Sequence, residues 1–228
     1  MSEFSKLTYS EQVAEYIRNL ILNGELTAGD VVEEAAIAKE LSISRGPVRE
    51  AMQILIREGL IDARPQKRKY VKQLTAKQIQ NSYFAGGVLE AASVAKVLHQ
   101  YMEKDITELE KIVEEMDNIA QNDGSISEQI PLDTAFHEIL FSRIDNALVK
   151  ELCKCSCQGI SKFFLYKHWV KIYTPQEVVY RHRQIIEALK SRNANTVEQV
   201  LREHYFSTGE RMAIYGSDIS NTRMPSGQ

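Results

Sequence analysis

The chain has 228 residues, of which 43% are hydrophobic and 26% are charged, and its net charge at pH 7 is −3. These values are ordinary for a globular protein, and the length allows two domains with separate cores. No apolar run approaches the ~20 residues that a bilayer span needs, and the N-terminus lacks the apolar core of a signal peptide. We therefore expect a cytoplasmic protein with no membrane partner, and any affinity for nucleic acid must come from locally placed basic residues.

Residues 34–71 predict two short helices, a tight turn, a third helix and a basic β-hairpin. The helix before the turn has an apolar face formed by Ala36, Ile37 and Leu41. Ser44 is placed to cap the third helix, and Pro47 fits its first turn, where the missing N–H is not needed. The apolar residues of the third helix recur at helical spacing, at Val48, Met52, Leu55 and Ile56. This arrangement is typical of a winged helix-turn-helix, which binds double-stranded DNA.

Basic residues cluster on two elements of this unit. Arg45 and Arg49 lie on the solvent-facing side at the start of the third helix, where a recognition helix contacts base edges in the major groove. Residues 1–74 carry 11 Lys or Arg against 11 Asp or Glu, yet five of the basic residues fall within residues 64–72. We expect Ser44, Lys67 and Arg68 to contact phosphates, and the hairpin tip formed by Lys67, Arg68 and Lys69 to lie near phosphates or a minor groove. Taken alone, the basic run would also fit a solvated hairpin.

The first third of the chain resembles the DNA-binding domain of the GntR family of bacterial transcription regulators. The resemblance is carried by YSEQVAEYIRNLILNGELTAGDV at residues 9–31 and by SRGPVREAMQILIREGLI at residues 44–61. It implies that the chain binds operator DNA. Related proteins often have a glycine at the wing tip, where this chain has Lys67-Arg68-Lys69, and a basic residue in place of Ala35. These departures concern which operator sequence is bound.

Helical periodicity continues through the rest of the chain. We predict helices near residues 76–100, 104–122, 127–145, 147–168, 175–192 and 194–215, separated by polar or proline-containing breaks. The expected fold is mainly α, with a winged helix-turn-helix at residues 1–74, an antiparallel helical bundle at residues 75–216 and a flexible tail at residues 217–228. LDTAFHEILFSRIDNALV and YRHRQIIEALKSRNANTVEQVLREHY resemble the FCD domain of the FadR-like branch of the family, in its six-helix form.

Three histidines and an aspartate fall on inward-facing stripes of the predicted helices. Asp133 and His137 are spaced i, i+4 and share one face. His182 and His204 lie among apolar residues, each 11 positions from Asn193 in the turn between the last two helices, so they come level in an antiparallel hairpin. One divalent cation would satisfy all four side chains, although each histidine could instead be a hydrogen-bonded core residue. The donors suit zinc, nickel, iron or manganese, and zinc is the ion we expect.

The resemblance to the FCD domain adds three expectations. Metal-binding members use an aspartate and three histidines at the matching positions, and a small organic acid is the typical class of effector. The protein is expected to act as a homodimer. Many relatives carry an arginine about one turn before the position of Glu90, where this chain has Gly86 and Gly87. The glycines suggest a kink or room for a bulky ligand, and the candidates for the effector pocket are Tyr83, Arg143, Arg183 and Tyr205.

The three cysteines Cys153, Cys155 and Cys157 form an unusual C-x-C-x-C segment. Metal binding or thiol sensing is conceivable, but the spacing on a regular helix is poor for one tetrahedral site. Cysteines are also common in the cores of cytosolic helices. We expect these residues to serve packing.

Three functions are compatible with these features. The first is a transcription regulator, and in particular a repressor, whose operator affinity depends on an acid bound near the metal. The second is a metal-dependent enzyme with a DNA-binding appendage. The third is a constitutive DNA-binding dimer with a structural metal. We expect the first and no enzymatic activity, because Asp133 is expected to be a metal ligand and Glu138 faces away, leaving no general base.

Overall fold

The computed structural model describes residues 7–63, 68–156 and 165–220. Contacts between residues divide the chain into two compact units that meet in sequence at Gln73 and Leu74. In these described ranges, no helix combines the length and apolar character that a bilayer span needs. The mainly α fold expected from the sequence is confirmed, with a helix-turn-helix unit first and a helical unit after it.

The first unit contains three helices and one β-hairpin. Its elements are α1 (Tyr9–Leu22), α2 (Glu34–Glu40), α3 (Arg45–Arg57), β1 (Ile61–Ala63) and β2 (Lys69–Val71). The side chain of Thr8 caps α1 together with Glu11, which accepts from the Thr8 backbone N–H. α3 lies on α1 and α2 through an apolar core to which Val48, Met52 and Leu55 contribute. Because this face of α3 is buried, the opposite face is exposed to solvent.

Three details differ from the expectations for this unit. One helix, α2, precedes the turn in residues 34–44, where two were predicted. Ala36 is exposed and Ala38 is buried in its place, because α2 turns Ile37 and Ala38 toward the shared core. Ser44 does occupy the N-cap position of α3, but its hydroxyl makes no capping hydrogen bond.

The second unit begins at Leu74 and is helical throughout its described residues. Its helices are α4 (Ala76–Lys96), a 3-10 turn (Leu98–Gln100), α5 (Glu103–Gln121), α6 (Ile126–Ser142), α7 (Ala147–Cys155), α8 (Tyr166–Ile172), α9 (Pro175–Lys190), α10 (Ala194–Ala213) and α11 (Ser217–Ser220). Capping boxes start α4 at Thr75 and α9 at Thr174, and Pro175 is tolerated in the first turn of α9 because no N–H is required there.

Two predictions for the second unit are wrong in part. Residues 147–168 were expected to form one helix, but α7 ends at Cys155, where the backbone of Ser156 turns out of the helical region with ψ −137°, and α8 begins at Tyr166. Residues 217–228 were expected to be a flexible tail, but Ser217–Ser220 form a short helix. This helix is held because Asp218 Oδ1 accepts from Ala76 N–H at 2.8 Å.

Helices α4 and α10 approach each other closely through two reciprocal glycine–tyrosine contacts. A Cβ atom on Gly87 of α4 would lie 2.7 Å from Cβ of Tyr205, and one on Gly209 of α10 would lie 2.6 Å from Cβ of Tyr83. Both distances are too short for any residue larger than glycine without movement. The space beside Gly87 is therefore filled by Tyr205, so the expectation of room for a bulky ligand at this glycine is wrong.

Candidate metal centre and nucleic-acid interface

The exposed face of α3 carries the predicted base-contacting residues. Arg45 and Arg49 are both exposed, as is Ser44 at the helix cap. Arg68 is exposed just before β2, whereas Lys67 lies outside the described residues. These side chains put positive charge and hydrogen-bond donors on the surface where a helix-turn-helix meets DNA.

Lys69 occupies a different environment from the one predicted. It lies in β2 opposite Ala63, and its ammonium group is paired with Glu34 while only 16% of its side chain is exposed. Its expected role as a tip residue on a phosphate is therefore not supported by its position. The same carboxylate accepts from Nε of Arg49 at 3.2 Å, so Glu34 joins the recognition helix to the hairpin.

In the second unit, three histidines converge from three helices. His137 lies on α6, His182 on α9 and His204 on α10. One ring nitrogen from each lies within 4.8 Å of the others, and the ring centroids of His182 and His204 are 5.2 Å apart. Asp133, one turn before His137 on α6, places Oδ1 3.1 Å from Nε2 of His182. The four residues predicted from the sequence thus lie together.

Hydrogen bonds fix which nitrogen of two imidazoles carries a proton. Nδ1 of His137 lies 2.8 Å from Oε1 of Glu90, and Nδ1 of His182 lies 2.8 Å from the Val178 carbonyl oxygen. A carbonyl oxygen and an ionised carboxylate both accept, so each Nδ1 donates, and whenever the ring is neutral its Nε2 carries the lone pair. This orientation of the ring by a second hydrogen bond is the usual arrangement around metal-binding histidines.

Two nitrogens of the cluster are buried without a hydrogen-bond partner among the described residues. They are Nε2 of His182 and Nδ1 of His204. Nε2 of His182 faces a carboxylate oxygen of Asp133, yet the contact lacks hydrogen-bond geometry. A carboxylate oxygen attracts this nitrogen when Nε2 carries a proton or when a cation lies near both atoms. The donor set therefore fits a divalent transition metal.

Burial and neighbouring charges shift the titration of two of these histidines in opposite directions. Burial by itself lowers the pKa of His137, but the carboxylates of Glu90 and Asp133 outweigh it and raise the pKa to about 9. Burial lowers the pKa of His204 well below its usual value, and the positive charge of Arg181 adds to this effect. His204 is thus held in the neutral form that binds metals.

Glu90 is a residue of this site that the sequence prediction did not include. Its side chain is fully buried in α4 and accepts from the hydroxyl of Tyr205 as well as from His137. The signal was present in the sequence, since Glu90 is spaced with Tyr83, Gly87 and Val94 along one buried face of α4. A carboxylate on a core-facing stripe needs a partner.

The four residues predicted for the effector pocket separate into two groups. Tyr205 contacts the cluster through Glu90, with its hydroxyl also 3.2 Å from Nδ1 of His137. Tyr83 is buried on α4, where it packs against Gly209. The arginines are paired with carboxylates outside the cluster, Arg143 with Asp105 at 2.6 Å and Arg183 with Asp117 at 2.7 Å.

Cys153 is buried in α7, with 1% of its surface exposed. Burial and the negative charge of Glu90 raise the pKa of its thiol to about 12. A thiol with so high a pKa is a poor nucleophile and a poor metal ligand at neutral pH. This favours the packing role predicted for Cys153; the side chain of Cys155 and all of Cys157 lie outside the described residues.

Comparisons with known proteins match both units. The sequence model of the bacterial regulatory proteins of the gntR family matches residues 9–71, and that of the FCD domain matches residues 82–207. An HTH-type transcriptional regulator of Bacillus subtilis, YdhC, is 28% identical over 86% of this chain and 88% of its own length. The gluconate operon transcriptional repressor of the same species is also 28% identical, over 88% of this chain and 84% of its own length.

Solved structures show the same fold. A GntR regulator from Rhodococcus sp. RHA1 has a TM-score of 0.69 at 23% identity, covering 89% of this chain and 96% of its own. McbR/YncC of E. coli has a TM-score of 0.68 at 19% identity, covering 91% of this chain and 98% of its own.

Proposed function

Because this chain belongs to the GntR family of bacterial regulatory proteins and carries an FCD domain, we propose that it is a repressor controlled by a small organic acid bound beside a divalent metal ion. The family match and the names of its relatives make it a transcription regulator and not an enzyme. The proposal concerns three finer points: the metal, the class of acid and a homodimeric state.

The observation that carries the metal is the contact between His182 and Asp133. Nε2 of His182 lies 3.1 Å from Oδ1 of Asp133, and ring nitrogens of His137 and His204 lie within 4.8 Å of a ring nitrogen of His182. His137, His204 and Asp133 would hold the ion together with His182. A six-coordinate ion would keep open positions for an acid beyond these four ligands, and zinc, nickel, iron and manganese all suit this mixture of nitrogen and oxygen donors.

The protein's own residues prepare the site for such an ion. Glu90 and the Val178 carbonyl orient the rings of His137 and His182, and Tyr205 holds the second oxygen of Glu90. The name of one relative supports the acid class, since a gluconate operon concerns a hydroxy acid. A second helical unit of the same kind would pair two helix-turn-helix units on a pseudo-palindromic operator.

Elemental analysis of the untagged protein tests the metal. We expect about one equivalent of a transition metal per chain, lost in the His182→Ala/His204→Ala variant. The same two proteins are then compared on a duplex selected from a random DNA library, with and without gluconate and related hydroxy acids. Metal-free wild-type protein that cannot be reloaded would refute the metal site. If the metal-bound protein binds DNA with the same affinity in the presence and absence of every acid tested, the metal would have a structural role.

A further inference from the structure

Glu34 at the start of α2 bridges two cations of the DNA-facing surface. Oε2 accepts from Nε of Arg49 on the recognition helix at 3.2 Å, and Oε1 is paired with Nζ of Lys69 on β2. The side chain of Glu34 is 21% exposed, and its carboxylate is ionised, because the two cations outweigh burial and lower its pKa.

The backbone makes this contact a fixed feature of the fold. The segment before α2 pairs with β2 as a third strand would: Gly29 N–H donates to Val71 O, Val71 N–H donates to Asp30 O and Val32 N–H donates to Lys69 O, each at 2.9 Å. The start of α2 therefore lies beside Lys69 whatever its side chains do.

The consequences for the two cations differ. Lys69 keeps 16% of its side chain exposed and Arg49 keeps 67%. With Nε of Arg49 engaged by Glu34, the Nη1 and Nη2 donors remain for a partner in front of the helix. Two parallel donors match O6 and N7 of guanine, the commonest specific contact of arginine in the major groove.

We propose that Glu34 is a positioning residue for sequence recognition, which aims Arg49 at a base and withholds Lys69 from phosphates. This inference rests on the proposed contacts of α3 with operator DNA. A carboxylate on a DNA-facing surface weakens binding to every sequence, whereas a fixed guanidinium favours the base pair that matches it. Glu34 thereby increases the difference between right and wrong sites, which is what specificity measures.

The test uses selection from a random double-stranded DNA library followed by affinity measurements on a selected and a scrambled duplex at several salt concentrations. The variants are Glu34→Gln and, as the matched control, Glu33→Gln. Glu33 is exposed, neighbours Glu34 and makes no side-chain capping bond, so its replacement removes the same charge without touching Arg49 or Lys69.

For Glu34→Gln we expect tighter binding to the scrambled duplex, with a salt dependence steeper by about one released counterion. The ratio of the affinity for the selected duplex to that for the scrambled duplex should fall about fivefold or more. About fivefold is the lower end of the discrimination that one bidentate contact with a base provides. Glu34→Gln and Arg49→Lys should lose the preference for a particular base pair at the same position of the selected motif. The double variant Glu34→Gln/Arg49→Lys should lose preference at no further position. Glu33→Gln should leave the motif unchanged.

Two further variants keep the test decisive. Glu34→Asp retains the charge but shortens the reach, so base preference should weaken with no change in salt dependence, even if Glu34→Gln lowers the melting temperature. Lys69→Gln should leave the motif intact, because the contact between Glu34 and Arg49 remains. Identical motifs and ratios in Glu34→Gln and Glu33→Gln would overturn the inference. A wild-type protein that enriches no sequence would instead overturn the proposed DNA contacts.

Discussion

Oε1 of Glu90 lies 2.8 Å from Nδ1 of His137, so a carboxylate buried in α4 sets the proton position of a histidine on α6. The second oxygen of Glu90 accepts from Tyr205 on α10. Three helices are therefore connected through one carboxylate at the edge of the proposed metal site. If His137 moved on binding a metal ion, its hydrogen bond would shift Glu90 on α4, and Glu90 would shift Tyr205 on α10.

The first prediction concerns this connection. Glu90→Gln should weaken zinc binding by about 10- to 100-fold and Tyr205→Phe by about tenfold, the range typical for residues that orient a metal-binding histidine. Competition with a chelator of known affinity measures both. Glu138→Gln is the control, since Glu138 is exposed on the same helix as His137. Zinc affinity equal in all four proteins would show that Glu90 does not orient a ligand.

The second prediction concerns the glycines between α4 and α10. Replacing a helical glycine by alanine ordinarily stabilises a helix by about 1 kcal/mol. In Gly87→Ala and Gly209→Ala the new methyl group would meet Cβ of a tyrosine at 2.7 and 2.6 Å, and such overpacking costs about 1–3 kcal/mol. We expect both variants to unfold at lower urea concentration than the wild type.

Gly46→Ala provides the control for helix propensity. Its new methyl group would have only Oγ of Ser44 within 4 Å, at 3.9 Å, so no loss of stability is expected. A gain in stability for Gly87→Ala would mean that α4 and α10 are farther apart in solution than these distances.

The third prediction is a pH dependence at Asp105. Its carboxylate accepts from the Met102 N–H at the start of α5 and from Arg143. Burial raises the pKa of Asp105, but these hydrogen bonds outweigh it and lower the pKa below the usual 3.8. The stabilisation is therefore complete above pH 3.8 and is lost as the pH falls through the lowered pKa.

Asp105→Ala should cost about 1 kcal/mol at pH 7, the typical loss for a capping hydrogen bond. The difference from the wild type should shrink in urea denaturation series taken progressively below pH 4. A difference that stays constant down to acid unfolding would assign the effect to packing and not to the charge.

The fourth prediction separates base contacts from phosphate contacts. Arg45→Ala should lower affinity for a selected duplex by about 1–3 kcal/mol and relax sequence preference at one position. Arg68→Ala should weaken binding to all DNA sequences alike. It should also reduce the slope of log affinity against log salt concentration by about one. Fluorescence anisotropy across a salt series distinguishes the two. The assignment fails if Arg45→Ala weakens scrambled and selected duplexes equally.

The fifth prediction concerns Cys153. Because the thiol is buried and its pKa is raised to about 12, native protein treated with iodoacetamide at pH 8 should remain unmodified at this residue. Peptide mass spectrometry should find the modification only after unfolding in urea. Rapid labelling of Cys153 in the native protein would show a reactive thiol and would support thiol sensing.

The sequence was sufficient for features that depend on spacing along one chain. The i, i+4 pair of Asp133 and His137 and the equal distances of His182 and His204 from Asn193 predicted a shared site, because helix rise and periodicity are constant. The apolar stripes and the cap residues similarly placed most helices. The break after Cys155 was not predicted, since the apolar periodicity continues across it.

Contacts between elements far apart in sequence were decided only by the tertiary structure. Glu34 meets Lys69 because residues 29–32 pair with β2, and nothing in the run Lys67-Arg68-Lys69 indicates that its last member is neutralised. Glu90 meets Tyr205 because Gly87 and Gly209 let α4 and α10 approach. The sequence by itself determined the family, the two units and the four candidate ligands, through local periodicity and motif. The partner of each buried charge depends on which helices pack together, and helices that are distant in sequence meet only in the folded chain.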